Sequence, residues 1–142
     1  MESVIREYYE AAYPENASLA KDYLEQLSVF SSCDYLNGQG CRMNQDIACR
    51  MVKIAALCRE MEQPLANVPD TAHWAALHRH NGYTLRLAQA MEALAAGKTE
   101  DAAMLYRQMR EFICQTEPDF QFWLDVYRVL EVTQKYTGFH IK

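Results

Sequence analysis

Helical periodicity broken at regular intervals by proline, glycine and capping residues is what most limits the fold open to this chain. Ile5, Tyr8, Tyr9 and Ala12 repeat at helical spacing until Pro14, which disfavours helix at Tyr13 and ends a short first segment. Asn16 is positioned to cap a second helix with the inward stripe Leu19, Ala20, Tyr23, Leu24 and Leu27, running to about Phe30. Ser31 to Met43 hold Asn37-Gly38 and Gly40 among polar residues, which predicts a loop of about thirteen residues, long for a helix connection. Tyr35 and Leu36 within it either tuck back onto the bundle or serve a function. Asn44 is placed to cap a third helix whose apolar face is Ile47, Met51, Ile54, Ala55, Cys58 and Met61, before Pro64 and Pro69 interrupt.

Asp70 restarts the pattern. The longest helix is expected from about Thr71 to Ala96, with Trp74, Leu77, Asn81, Leu85, Ala88, Met91 and Ala95 inward and Gly97 as its left-handed terminator. Thr99 is placed to cap a fifth helix burying Ala102, Leu105, Tyr106, Met109 and Ile113. Glu117-Pro118 then reads as a break and a new start with proline at the first position. The sixth helix is expected to carry Phe122, Trp123, Val126, Tyr127, Val129 and Leu130 and to end at Gly138. Strand-like alternation is absent, so the expected fold is all-α, a single-domain bundle of about six helices over residues 1–142.

At 142 residues, 50% hydrophobic, such a bundle hides roughly 68–70% of the unfolded chain's surface and needs no disulfide or metal to hold it. A net charge of −5 with 14 scattered Lys and Arg leaves no field for phosphate backbones, which argues against nucleic acid. There is no run of about 18 apolar residues and no signal-peptide pattern, which argues against a membrane span. Met1 leads straight into a helix-forming stretch, as an excised fragment would. A cytoplasmic location is expected, conditional on no signal peptide upstream.

Five cysteines, Cys33, Cys41, Cys49, Cys58 and Cys114, are an odd number without paired metal or redox spacings, so reduced thiols and a reducing compartment are expected. Cys49 and Cys58 are nine apart and point to opposite sides of one helix at about 100° per residue. His73 and His80 share a face only at a separation of roughly 10 Å, too far for one ion, and His78 is expected beside Trp74 and Asn81 on the inward face, needing a buried partner. Glu7 with Glu10, and Glu60 with Glu62, sit on polar faces that would not separate their pKa values. Gly-x-Ser-x-Gly, Walker and dinucleotide patterns are absent. No catalytic, cofactor-binding or metal-binding residue is expected, and no cofactor.

The aromatic residues divide. Trp74 and Trp123 fall at inward positions, whereas Tyr8, Tyr9 and Tyr13 lie on a helix too short to cover them and are candidate partner-contact residues, together with Tyr35 and Leu36 of the long loop.

Glu7-Tyr8-Tyr9-Glu10-Ala11-Ala12-Tyr13 followed by Lys21-Asp22-Tyr23-Leu24-Glu25-Gln26-Leu27 resembles the start of the helical region after the catalytic barrel in large bacterial carbohydrate-active proteins of the DUF4838 type, which are related to glycoside hydrolases. Trp74, Leu77, His78, Asn81-Gly82-Tyr83, Leu87, Ala90, Leu94, Gly97 and Ala102-Ala103 are similar to a later stretch of the same region. The resemblance spans most of the chain and rests on helix-packing residues, so none of that family's catalytic carboxylates carries over. It implies a non-catalytic C-terminal accessory domain whose partner is the catalytic barrel of a parent protein, which it stabilises or shapes. Ala93 to Tyr106 also resembles one tetratricopeptide-like helix-turn-helix, without a second copy about 34 residues away, and implies a free-standing protein-interaction adaptor as the alternative.

Overall fold

The computed structural model describes residues 2–31 and 43–139. Six α-helices make up this part: α1 (Glu2–Ala12), α2 (Ala17–Phe30), α3 (Gln45–Ala66), α4 (Ala72–Ala95), α5 (Thr99–Phe120) and α6 (Val126–Thr137). The all-helical bundle read from periodicity is therefore the observed architecture among the described residues.

Local chemistry sets most of the ends. The Asn44 side chain accepts the Ile47 amide at 3.2 Å, and the Thr71 hydroxyl accepts the Trp74 amide at 3.4 Å, each answering one of the amides a helix start leaves without an internal partner. Asn16 occupies the cap position of α2 but makes no side-chain cap hydrogen bond. At the far end of α4, Gly97 lies at φ +78°, with its amide donating to Leu94 O at 3.1 Å and the Lys98 amide donating to Ala93 O at 2.8 Å. This paired closure needs a left-handed residue, and it turns the chain directly into α5. Thr99 is the first residue of α5 rather than its cap, a position held by Lys98 without a side-chain hydrogen bond.

Two of the four prolines are carried inside helices. Pro64 lies in the last turn of α3 and Pro118 in the last turn of α5. Proline costs a helix the bond to the carbonyl four residues back, here that of Glu60 or Cys114, and both of these residues are exposed. Helix α5 consequently passes the expected break at Glu117-Pro118 and ends at Phe120, and α6 begins only at Val126. Its cap is Asp125, whose carboxylate accepts the Arg128 amide at 2.9 Å. The expected sixth-helix stripe is thereby corrected. Phe122 and Trp123 precede the helix and are 90% and 51% exposed, Tyr127 is 78% exposed, and the buried face runs through Val126, Thr133 and Thr137.

Helix α4 is the centre, packed against α3 on one side and α5 on the other, while α2 leans on α3, α1 on α2 and α6 on α5. Its expected stripe, Trp74, Leu77, Asn81, Leu85, Ala88, Met91 and Ala95, is buried throughout, and Ala90, Ala93 and Leu94 are buried as well. Three contiguous clusters result. One joins Ile47, Met51, Ile54 and Cys58 to Leu85, Met91 and Leu94; a second joins Ala12, Tyr13, Ala20 and Tyr23 to Met61, Trp74 and Leu77; a third joins Ala90 to Tyr106, Met109, Ile113 and Val126.

The left-handed site at Gly97 gives a direct test of the α4–α5 turn. A side chain there costs about 1–2 kcal/mol, partly offset by about 0.4–1 kcal/mol from a stiffer unfolded chain. Gly97→Ala is expected to lower the urea unfolding free energy by about 1 kcal/mol, and Gly97→Asn by less, because asparagine tolerates this conformation. Equal stability of the alanine variant and the parent would show that the turn does not need its terminator.

Candidate functional site

Rings form a continuous chain along one end of the bundle. Tyr8 meets Tyr9 edge-on at 5.4 Å between centroids, Tyr9 meets Tyr13 at 6.1 Å, and Tyr13 packs edge-on against Trp74 at 4.8 Å. From Tyr13 the chain continues to His73 at 6.0 Å and from His73 to Trp123 at 5.1 Å, both edge-on. Each such pair contributes about 0.5–1.5 kcal/mol beyond the area it hides. The contacts tie the end of α1 to the start of α4 and to the segment between α5 and α6, and they fix the ring of Trp123 although half of it faces solvent.

The sequence-derived contact residues fall differently within this chain. Tyr8 is exposed and Tyr9 half-buried, while Tyr13 is buried, so little of its ring is left for a partner. Tyr35 and Leu36 lie outside the described residues. Phe122, Trp123 and Tyr127, expected on the sixth-helix stripe, are exposed as well. Recognising Asp125 as the cap of α6 would have found Phe122 and Trp123, since residues before a cap cannot share the helix's buried stripe.

Beneath Trp123 lies a hollow of about 230 Å³, lined by Tyr13, Leu24, Ala76, Leu77, His80, Trp123 and Leu124. On the other side of His80 a second hollow of about 180 Å³ is lined by Leu27, Ser31, Met51, Ile54, Thr84, Leu87, Ala88 and Met91 together with His80 itself. No charged side chain lines either one among the described residues. Burial lowers the His80 pKa and so favours the neutral ring, and its Nδ1 has no hydrogen-bond partner among the described residues. His80, not His78, is therefore the histidine drawn into the bundle, and His78 is exposed. The two sit roughly 80° to either side of the centre of the buried stripe of α4, so spacing alone could not separate them. Trp123 and Leu124 come over the His80 flank.

Other groups are arranged for structure. The Tyr23 hydroxyl meets the Cys58 thiol at 3.7 Å, burial pushes that thiol up to about 11, and a thiol so protonated is a poor nucleophile. Cys49 is exposed on the opposite side of α3, as their spacing requires. Asn81 donates to Cys58 O at 3.0 Å and anchors α4 to α3 in the core. A wide hollow of about 820 Å³ between α1 and α2 has Arg6 and Lys21 in its wall, paired with Glu10 at 3.7 Å and Glu25 at 3.8 Å. These exposed pairs cancel charge locally and supply no unbalanced acid or base. Glu60 and Glu62 are exposed on α3. Among the described residues no three His, Cys, Asp or Glu side chains converge as metal ligands, and no helix is long and apolar enough to cross a membrane.

Set against known proteins, the chain matches no family model, no curated protein and no solved structure.

His80 carries a pH signature. Its folded pKa lies below the unfolded value of about 6.5, so the unfolded chain binds the proton more readily. The stability tied to the neutral ring is present above about pH 6.5 and falls as pH drops towards the folded pKa. Urea unfolding followed from pH 7.5 down to pH 5 is expected to show this loss in the parent. In His80→Phe that part of the loss disappears, and an unchanged pH profile would mean that His80 titrates as a solvated ring.

Proposed function

We propose that this chain is a non-catalytic helical accessory domain that packs against a larger partner through its aromatic end. The supporting observation is the exposure of Tyr8 and Trp123 at the two ends of a ring chain whose inner members are fixed by packing, with Phe122 next to Trp123 exposed as well. Large apolar side chains grouped at the surface are characteristic of interaction sites, and aromatic residues are enriched there. The likeness of residues 7–27 and 74–103 to the helical region of DUF4838-type proteins names the partner as a glycoside hydrolase-like catalytic barrel, which the bundle would stabilise or shape. A cytoplasmic location accompanies this proposal when no signal peptide lies upstream, in keeping with the free thiols of Cys49, Cys58 and Cys114.

The second proposal is a free-standing adaptor. It is favoured by the α4–α5 hairpin, where Gly97 turns the chain and Ala102 and Tyr106 are buried as in a tetratricopeptide-like unit.

The size of the native polypeptide separates the two. An antibody raised against this chain is expected to detect a band several times larger than 16.4 kDa in source cells, whereas a band at 16.4 kDa would leave the adaptor. In the native-length protein, Tyr8→Ser combined with Trp123→Ser is expected to expose the barrel to limited proteolysis. The isolated double variant is expected to lose about 1–3 kcal/mol with the two ring pairs these side chains make, so its urea midpoint is measured alongside and proteolysis is compared under conditions where the domain stays folded. Unchanged proteolysis would mean that the contact surface lies elsewhere.

A further inference from the structure

The turn that carries α1 is built against local preference. Between Ala12, the end of α1, and Ala17, the start of α2, Glu15 lies at φ +71°, in the left-handed region. Helices that close through this region usually place glycine there and sometimes asparagine, because a larger side chain crowds the following carbonyl. Glutamate disfavours the conformation about tenfold. Asn16, the next residue, holds the cap position of α2 without making the cap hydrogen bond. Pro14 disfavours helix at Tyr13, so the link does not relax by running α1 straight on into α2.

What this turn holds in place is attached by packing alone. Ala12 and Tyr13 are buried with Ala20, Tyr23, Met61 and Trp74, and the Tyr13 ring meets Trp74 at 4.8 Å and His73 at 6.0 Å. Among the described residues no side-chain hydrogen bond or ion pair joins α1 or Tyr13 to another element, and the Arg6–Glu10 pair lies within α1. The first half of α1, with Val4, Ile5 and Tyr8, is uncovered. A helix seated in this way leaves its seat as a unit. The occupant that refills the seat contact for contact is the α1 of a second copy.

We infer that α1 and Tyr13 exchange between two copies of this chain, each copy seating its first helix in the other's bundle across the opened link Pro14-Glu15-Asn16. The contacts of the seat are then made again between chains, and the link alone changes, because Glu15 is free to leave the left-handed region. Three extended residues span about 10 Å, and reciprocal exchange closes the assembly as a two-fold dimer. Short hinges under strain invite such exchange. A short link holds α1 at its own seat at an effective concentration of roughly millimolar, so an unstrained exchange would be half complete at about that concentration. Relief of about tenfold at each of two hinges brings the dissociation constant to roughly 10 µM. The inference does not rest on the accessory-domain reading; where that reading holds, exchange joins two parent proteins.

Analytical ultracentrifugation of the chain, refolded at concentrations from about 1 µM to about 1 mM, is expected to show a mass rising from 16.4 kDa to twice that value. Glu15→Gly, which fits the closed turn without strain, should raise the dimer dissociation constant about hundredfold. Glu15→Val, whose branched side chain resists the left-handed region more than glutamate does, should lower it. Circular dichroism checks that both variants keep the helical fold. The exchange itself is read by nuclear magnetic resonance on carbon-13-labelled and unlabelled chains unfolded together in urea and refolded as a mixture. An isotope-filtered NOE between Tyr13 of one copy and Trp74 of the other is expected, since the two rings lie 4.8 Å apart. A monomer over the whole concentration range, a dimer indifferent to both Glu15 variants, or a dimer whose Tyr13–Trp74 NOE stays within one chain overturns the inference.

Discussion

Burial of α4 on nearly every side is the constraint from which the rest of the molecule follows. Trp74 and Leu77 belong to the cluster shared with α1, α2 and α3; Leu85, Met91 and Leu94 to the one shared with α3; and Ala90 to the one shared with α5 and α6. A helix used this way needs small residues where neighbours press in, and Ala88, Ala90, Ala93 and Ala95 supply them. The left-handed closure at Gly97 then sends α5 back along the same wall. Truncating Trp74 or Leu94 would remove atoms on which more than one helix rests, at a cost of about 2–5 kcal/mol each.

The peripheral helices inherit their positions from that centre, and the exposed aromatic end is a consequence. Helix α1 is joined through Ala12 and Tyr13, which leaves Val4, Ile5 and Tyr8 uncovered. Helix α6 docks through Val126 and the Thr133 hydroxyl, which shares a hydrogen bond with Tyr106 at 2.9 Å. Because it starts only after Asp125, Phe122 and Trp123 sit in a connection with no helix to bury them. A bundle closed over its aromatic residues would have hidden these rings. Here Trp123 lines an apolar hollow together with the half-buried His80, whose pKa burial lowers.

Legibility in the sequence differed by element. The stripes of α3 and α4 could be read off almost residue by residue, because long helices pressed between others must be apolar at a fixed period. Caps and terminators such as Asn44 and Gly97 were equally readable, since they answer local backbone needs. Pro118 misled, because a proline in an exposed last turn costs only one bond to a carbonyl that water can satisfy. That single step displaced the start of α6 and turned Phe122 and Trp123 inward on paper. Tyr13 was harder still, because a short helix gives no periodicity long enough to show which ring is covered.

By itself, the sequence determined that this protein is helical, where α2 to α4 run and which face of α3 and α4 is apolar. Those properties depend on residues within a turn or two of one another. Tertiary structure alone decided that His80 rather than His78 is drawn into the bundle, that Tyr13 is covered while Trp123 stays half open, and that a hollow remains between α2, α4 and the α5–α6 connection. Each of these depends on which helix covers a flank, a matter of packing between segments far apart in the chain, and periodicity within one helix carries no record of it.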